Sequence, residues 1–237
     1  PLIFGWDGPV DFDLPAVLCR KLANAELDVA FVSSFEFLEH PIYTIADRVA
    51  VGSDGPVSSV LLVHRAPLAH VTEIVLDPAS RTSVHLLRCL LAENNLTPRL
   101  VDDGEITETR ARLFIGDAAI RFRAKHVDAF RYRDLGQWWK ELTGLPFVFA
   151  LWLIRPEVED AHAIADALRN RRDANLRALD QLIAAEPEFS PEFCRHYFTD
   201  CLRFDFGARE QAGLLKFRAL CERHGILAPN PAPLRLA

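Results

Sequence analysis

The residues best placed to do chemistry in this chain are hydroxyls. Ser80-Arg81-Thr82-Ser83 opens an apolar run, Val84 to Leu91, that reads as a helix. A helix N-terminus presents unpaired N–H groups and a partial positive charge, which makes it a ready anion site. Hydroxyls of Thr82 and Ser83 would add donors to the same carboxylate. The plainer meaning stays open: Ser80 as a simple N-cap and Arg81 as a surface residue. A second group, Gly55-Pro56-Val57-Ser58-Ser59, is a turn entering a strand. Strand alternation sends Ser58 and Ser59 to opposite faces, so only one of them can face a cleft. No GxSxG elbow surrounds either serine, and no His and Asp stand out as triad partners. Asp117, after Gly116, either accepts a substrate hydroxyl or caps the next helix. His85 lies within the apolar helix and reads as a packed residue, not a base. The other histidines share no spacing, so no metal site is predicted. The lack of GxGxxG and Walker loops gives nucleotide cofactors no support.

The elements that must position these groups alternate between strand and helix, which points to an α/β fold with parallel sheets. Pro15 to Asn24 reads as a helix with Pro15 in its first turn, followed by a buried strand, Leu27 to Val32. Ser33-Ser34 then leads into a helix at Phe35-Glu36-Phe37-Leu38. Strands are predicted at Val57–His64, Glu73–Asp77, Ala111–Gly116 and Pro146–Ile154. Trp138 to Leu142 is helical, with Gly144 as its C-cap. From Val158 the chain reads as helical throughout, and the Pro- and Ala-rich tail after Ile226 as unstructured or draped. Ligands in α/β folds sit beyond the carboxyl ends of strands, where loops meet helix N-termini. Ser33-Ser34, Asp54–Ser59, Ser80–Ser83 and Gly116-Asp117 are therefore the candidate cleft walls, with Asp77-Pro78-Ala79 leading into the third.

The 237 residues suffice for two lobes of roughly 100 residues each. The formal net charge is -6, with Lys and Arg scattered, which argues against a nucleic-acid partner. The one dense basic run, Arg169-Asn170-Arg171-Arg172, lies in a helical pattern and reads as a solvated face. Five cysteines at irregular spacing, without a CxxC pair, read as free thiols of a reducing compartment. No apolar run reaches the ~18 residues of a membrane span.

With these segments in place, the chain resembles the chorismate dehydratase family of menaquinone biosynthesis by the futalosine route. The resemblance is carried by Glu26 to Ala30, by Ser53-Asp54-Gly55-Pro56-Val57-Ser58-Ser59-Val60, and by Ser80-Arg81-Thr82-Ser83-Val84. It continues through Ile115-Gly116-Asp117-Ala118-Ala119 and from Asp134-Leu135-Gly136 to Trp152. The helical end matches only in character. The resemblance implies a two-lobed type II periplasmic-binding-protein-like fold with a ligand cleft between the lobes. We expect residues 1–63 and 151–237 to form one lobe and 64–150 the other.

It further implies a cytoplasmic lyase that dehydrates chorismate to 3-(1-carboxyvinyloxy)benzoate without a metal or organic cofactor. By resemblance Ser59 is the pocket serine that matters most, and Thr82 and Ser83 hold a carboxylate. Ser33, Ser34, Gly55, Ser58, Arg81, Gly116 and Asp117 complete the expected site. The family's first strand leads to a pocket Asn just before a Pro-Leu step. Here the sequence starts at Pro1-Leu2, and we expect that strand and Asn to precede Pro1, since a lobe lacking them would expose a buried edge. Two rivals are the sister enzyme that cleaves a cyclic futalosine derivative and a plain solute-binding protein for a small carboxylate.

Overall fold

The computed structural model describes residues 1–77 and 80–237. Pro78 and Ala79, part of the turn singled out above, lie outside the described residues. The chain begins with α1 (Pro15–Ala23), which has Pro15 in its first turn and buries Cys19 and Leu22. Strand β1 (Val29–Ser33) passes directly into α2 (Ser34–Glu39). Strands β2 (Thr44–Ser53), β3 (Val60–His64) and β4 (Glu73–Val75) follow. Then come α3 (Arg81–Glu93), β5 (Arg99–Val101), β6 (Arg110–Ile115), α4 (Asp117–Lys125) and β7 (Arg131–Asp134). Helix α5 (Leu135–Thr143) closes on Gly144, whose φ of 70° is the left-handed cap that its sequence predicts. Strand β8 (Phe147–Ile154) is followed by α6 (Ala161–Arg177), α7 (Leu179–Ala184) and α8 (Pro191–His196). A π-helical turn, Tyr197–Cys201, and α9 (Ala208–Arg223) complete the order.

The strands form two sheets, ordered β1-β8-β2 and β5-β4-β6-β3-β7. The expectation of parallel sheets is corrected here. β8 runs antiparallel to both β1 and β2, and β3 runs antiparallel to both β6 and β7. Among the described strands, β4 pairs in parallel with β5 and β6. The reason is topological. A helical crossover makes parallel neighbours only when it returns the chain to an adjacent position in the same sheet, as α3 does between β4 and β5. β8 instead arrives from the five-stranded sheet and inserts between β1 and β2 against their direction.

Phe147, Trp139 and Phe217 meet at the centre of the core, with ring centroids 5.0 Å apart for Phe147–Phe217 and 5.1 Å for Trp139–Phe147. All three are fully buried, and each contributes about 2–3 kcal/mol by leaving water. They join β8, α5 and α9 into one apolar cluster that continues into residues of both sheets.

Two further expectations are narrowed. The basic run on α6 is only partly a solvated face. Arg172 is buried and donates to the carbonyls of Arg48 and Phe204, and Arg169 donates to those of Asp47 and Ala237. Of the two states expected for the tail, unstructured or draped, its end is the draped one: Ala237 N donates to Ile45 O (3.0 Å), and Ile45 N donates to Arg235 O (2.8 Å). The last residues thereby pair with the start of β2.

Candidate active site

The expected hydroxyls fall into two hydrogen-bonded groups. The first forms where β1 ends and α3 begins. Ser80 is the N-cap of α3, and its Oγ accepts from Ser83 N at 3.3 Å and meets Ser83 Oγ at 3.1 Å. Thr82 is fully buried. Its Oγ1 contacts Ser33 Oγ, lies 3.4 Å from Ser34 Oγ and accepts from Phe35 N at 3.2 Å. Thr82 N donates in turn to Ser33 Oγ at 3.2 Å. Ser34 Oγ donates to Val148 O at 2.7 Å, which fixes α2 against β8. Ser33, Ser34, Thr82 and Ser83 are thus brought together, and the free N–H groups of two helices meet a shared set of hydroxyls.

Arg81 turns to the other side. It donates to Glu36 (3.1 Å) and Glu39 (2.6 Å), and its guanidinium lies 5.4 Å from the centre of the Phe35 ring. Two carboxylates therefore balance its charge. Glu36, Glu39 and His40 place ligand-type atoms within 4.8 Å of one another, but Arg81 already donates to both glutamates there. His85 stacks on Phe35 with centroids 3.8 Å apart, and its buried Nδ1 has no hydrogen-bond partner among the described residues. Burial, reinforced by Arg88 and Arg81, pushes its ring down to about 4, so it stays neutral near pH 7. The packed character expected of His85 is what the structure shows.

The second group forms on the connection from β2 to β3. The prediction of a strand from Val57 is corrected, because the strand starts only at Val60. Asp134 explains the difference: its carboxylate accepts from Val57 N (3.1 Å) and Ser58 N (2.7 Å), drawing both donors away from strand pairing. It also accepts from Gln137 N (3.1 Å) as the N-cap of α5. Ser58 adopts φ 63°, so alternation along a strand does not govern where Ser58 and Ser59 point. Ser58 Oγ lies 3.5 Å from Cys201 Sγ, while Ser59 Oγ accepts from the phenol of Tyr197 at 2.8 Å. Gly116 N donates to Ser59 O at 2.7 Å, which brings Gly116 into this group.

Around it, Asp54 is bonded to Lys140 Nζ (2.5 Å) and Arg209 Nη1 (2.9 Å). Gly55 has φ 134° and its carbonyl lies beside Gly136, where an added Cβ would come within 2.6 Å of it. This conformation favours glycine at 55, and the contact keeps 136 without a side chain. Of the two roles expected of Asp117, the structure removes the helix cap. Asp117 heads α4 without capping it, is exposed, and pairs with Arg121 at 3.6 Å.

Sequence reasoning missed Tyr197, Asp134 as an organiser, and Cys201. Asp134 carried a local sign, an acidic residue before the Leu135 helix. Tyr197 carried none, because its value comes from a contact 138 residues away.

Comparison with known proteins gives this geometry its context. The chain is 32% identical over 226 residues to a chorismate dehydratase of Thermus thermophilus, covering 86% of this chain and 83% of that one. It is 28% identical over 213 residues to a 1,4-dihydroxy-6-naphtoate synthase of the same organism, covering 80% and 76%. Among solved structures, a protein of Archaeoglobus fulgidus superposes with a TM-score of 0.72 at 20% identity, covering 92% of this chain and 86% of that one. A Candida albicans protein described as having the generic periplasmic binding protein fold superposes at 0.56 and 13% identity, covering 91% and 79%. The fold is therefore of the periplasmic-binding-protein type. A family model described as menaquinone biosynthesis matches residues 9–223, and this chain belongs to that family.

Proposed function

We propose that this protein is a chorismate dehydratase of menaquinone biosynthesis, removing water from chorismate to give 3-(1-carboxyvinyloxy)benzoate. The observation that carries the reading is the 32% identity to the Thermus thermophilus enzyme across most of both chains. The chemistry asks for little beyond placement. Chorismate becomes aromatic as the proton beside the enolpyruvyl ether and the neighbouring hydroxyl leave. The protein's task is to orient two carboxylates and to stabilise the negative charge that spreads toward the ring carboxylate.

In this reading residues 1–63 and 151–237 form one lobe and residues 64–150 the other. The substrate lies between the two hydroxyl groups, reached from the cytoplasm. Thr82 and Ser83 receive a carboxylate, which replaces Ser33 and Ser80 as their partners. Ser59 donates to the reacting part of the substrate, and the enolpyruvyl carboxylate itself takes the proton. Ser33, Ser34, Gly55, Ser58, Gly116 and Asp117 border the same space, whereas Arg81, expected among them, is held away by Glu36 and Glu39. No metal or organic cofactor takes part in this scheme.

Incubation with chorismate, followed by chromatography and mass, tests the assignment: loss of one water with a new aromatic absorbance is expected. Ser59→Ala should slow turnover about a hundredfold; undiminished turnover would remove Ser59 from the mechanism. The 28% identity to the naphtoate synthase keeps that sister activity as the second reading. It gains if chorismate neither binds nor reacts, whereas chorismate that binds and returns unchanged points to a solute-binding protein.

A further inference from the structure

We propose that Tyr197 is a positioning residue for Ser59, donating its phenolic hydrogen to Ser59 Oγ so that the serine's own proton is available to the bound substrate. The inference rests on the dehydratase reading above and deepens it.

The two hydrogen bonds of the Ser59 hydroxyl are very unequal. As acceptor it receives the Tyr197 phenol at 2.8 Å, the middle of the normal O–H···O range. As donor, among the described residues, it reaches Val57 O at 3.4 Å, well beyond that range. The serine proton is thus loosely committed, while the oxygen is firmly held. Accepting a hydrogen bond also polarises a hydroxyl and makes it a better donor to a third group. The backbone is held as well, by the 2.7 Å bond from Gly116 N to Ser59 O. Ser59 is 5% exposed, so water does not compete freely for that proton.

The phenol is itself held in place. Its ring stacks on Phe193 at 5.7 Å with an interplanar angle of 12°, and Phe198 lies 5.8 Å away. Tyr197 opens the π-helical turn Tyr197–Cys201, a rare local geometry concentrated at functional sites. The residue that closes the same turn, Cys201, touches Ser58 Oγ at 3.5 Å. One turn therefore addresses both serines of the β2–β3 connection. Burial pushes the Tyr197 phenol above its usual range, with Asp117, Cys201 and Asp134 adding to this and the bond to Ser59 opposing it. The group stays protonated and remains a donor. No covalent bond to hydrogen breaks: the tyrosine keeps its proton, and Ser59 turns its own from Val57 O to the substrate.

The test is steady-state kinetics with chorismate on the wild-type protein, Tyr197→Phe, Ser59→Ala and the double variant, with thermal midpoints for all four. Phenylalanine keeps the ring stack, so the midpoint should stay near that of the wild type. We expect Tyr197→Phe to lower kcat about tenfold with KM little changed, and to slow a Ser59→Ala enzyme no further. An unchanged kcat in Tyr197→Phe, or losses that multiply in the double variant, would overturn the role while leaving the dehydratase reading intact. A wild-type protein that does not turn chorismate over would overturn both.

Discussion

His85 shows how far a single side chain departs from its solution behaviour once packed. Its ring stacks on Phe35, its Nδ1 has no partner among the described residues, and burial with Arg88 and Arg81 outweighs the attraction of Glu39. The folded-state value is about 4 against an ordinary 6.5. Between these two pH values the unfolded chain binds a proton that the folded chain does not, so unfolding becomes easier as the pH falls. Stability should drop from near pH 6.5 toward pH 4 and then level off as far as this group is concerned. Urea midpoints at pH 7, 5.5 and 4.5 would reveal the slope. In His85→Leu that part of the slope should vanish, and an unaltered slope would show that His85 titrates normally. Arg81, one turn earlier, illustrates the opposite case. Its charge is spent on Glu36 and Glu39, so a free cation at the start of α3 is not what the helix offers an anion.

At the scale of elements, α9 packs closely against the turn before β8. A Cβ added at Gly213 would lie 2.1 Å from Pro146 O, a backbone atom that cannot swing aside. Alanine is favoured over glycine in a helix by about 1 kcal/mol, but the clash outweighs this. Gly213→Ala should lose about 2 kcal/mol net, read as a lower urea midpoint with an unchanged slope; a gain in stability would mean that α9 moves off easily. The same turn holds Trp139, whose Nε1 donates to Pro146 O at 3.1 Å, so a displaced Pro146 also loosens α5. The local signals of these elements were readable in advance: Pro15 at the start of α1, Gly144 after α5, and the apolar run of β8. β2 was not. Its register shifts between Ile45 and Ala50, and Arg48 adopts φ 60°, so the strand carries no clean alternation.

For the molecule as a whole, Arg172 ties together parts that are distant in sequence. From α6 it reaches the carbonyl of Arg48 in β2 and that of Phe204 ahead of α9. Arg172→Met keeps the aliphatic stem and leaves two carbonyls without this donor. We expect a loss of about 3 kcal/mol and faster proteolysis near residues 203–207. Arg171→Met is the control. Among the described residues, the ion-pair partner of Arg171 is the exposed Asp7, at 3.7 Å, and its removal should cost about 0.5 kcal/mol or less. Equal losses in the two variants would show that Arg172 contributes no more than a surface charge. The composition of the run Arg169 to Arg172 made all three arginines look alike. Burial separates them, and burial depends on where β2 and the end of the chain come to lie.

Local chemistry was therefore legible in the sequence itself: the Ser80 cap, the hydroxyl-rich start of α3, the helix–strand order, and the motifs that carry the family. These follow from residues within a few positions of one another, where propensity, capping and apolar patterning act. Only the tertiary structure decided the antiparallel insertion of β8, the release of Val57 to Ser59 from the strand by Asp134, and the approach of Tyr197 to Ser59. Each of these depends on groups far apart in the chain. Their free energy comes from burial and hydrogen bonds that exist only after the sheets have assembled, and no local pattern has to announce it.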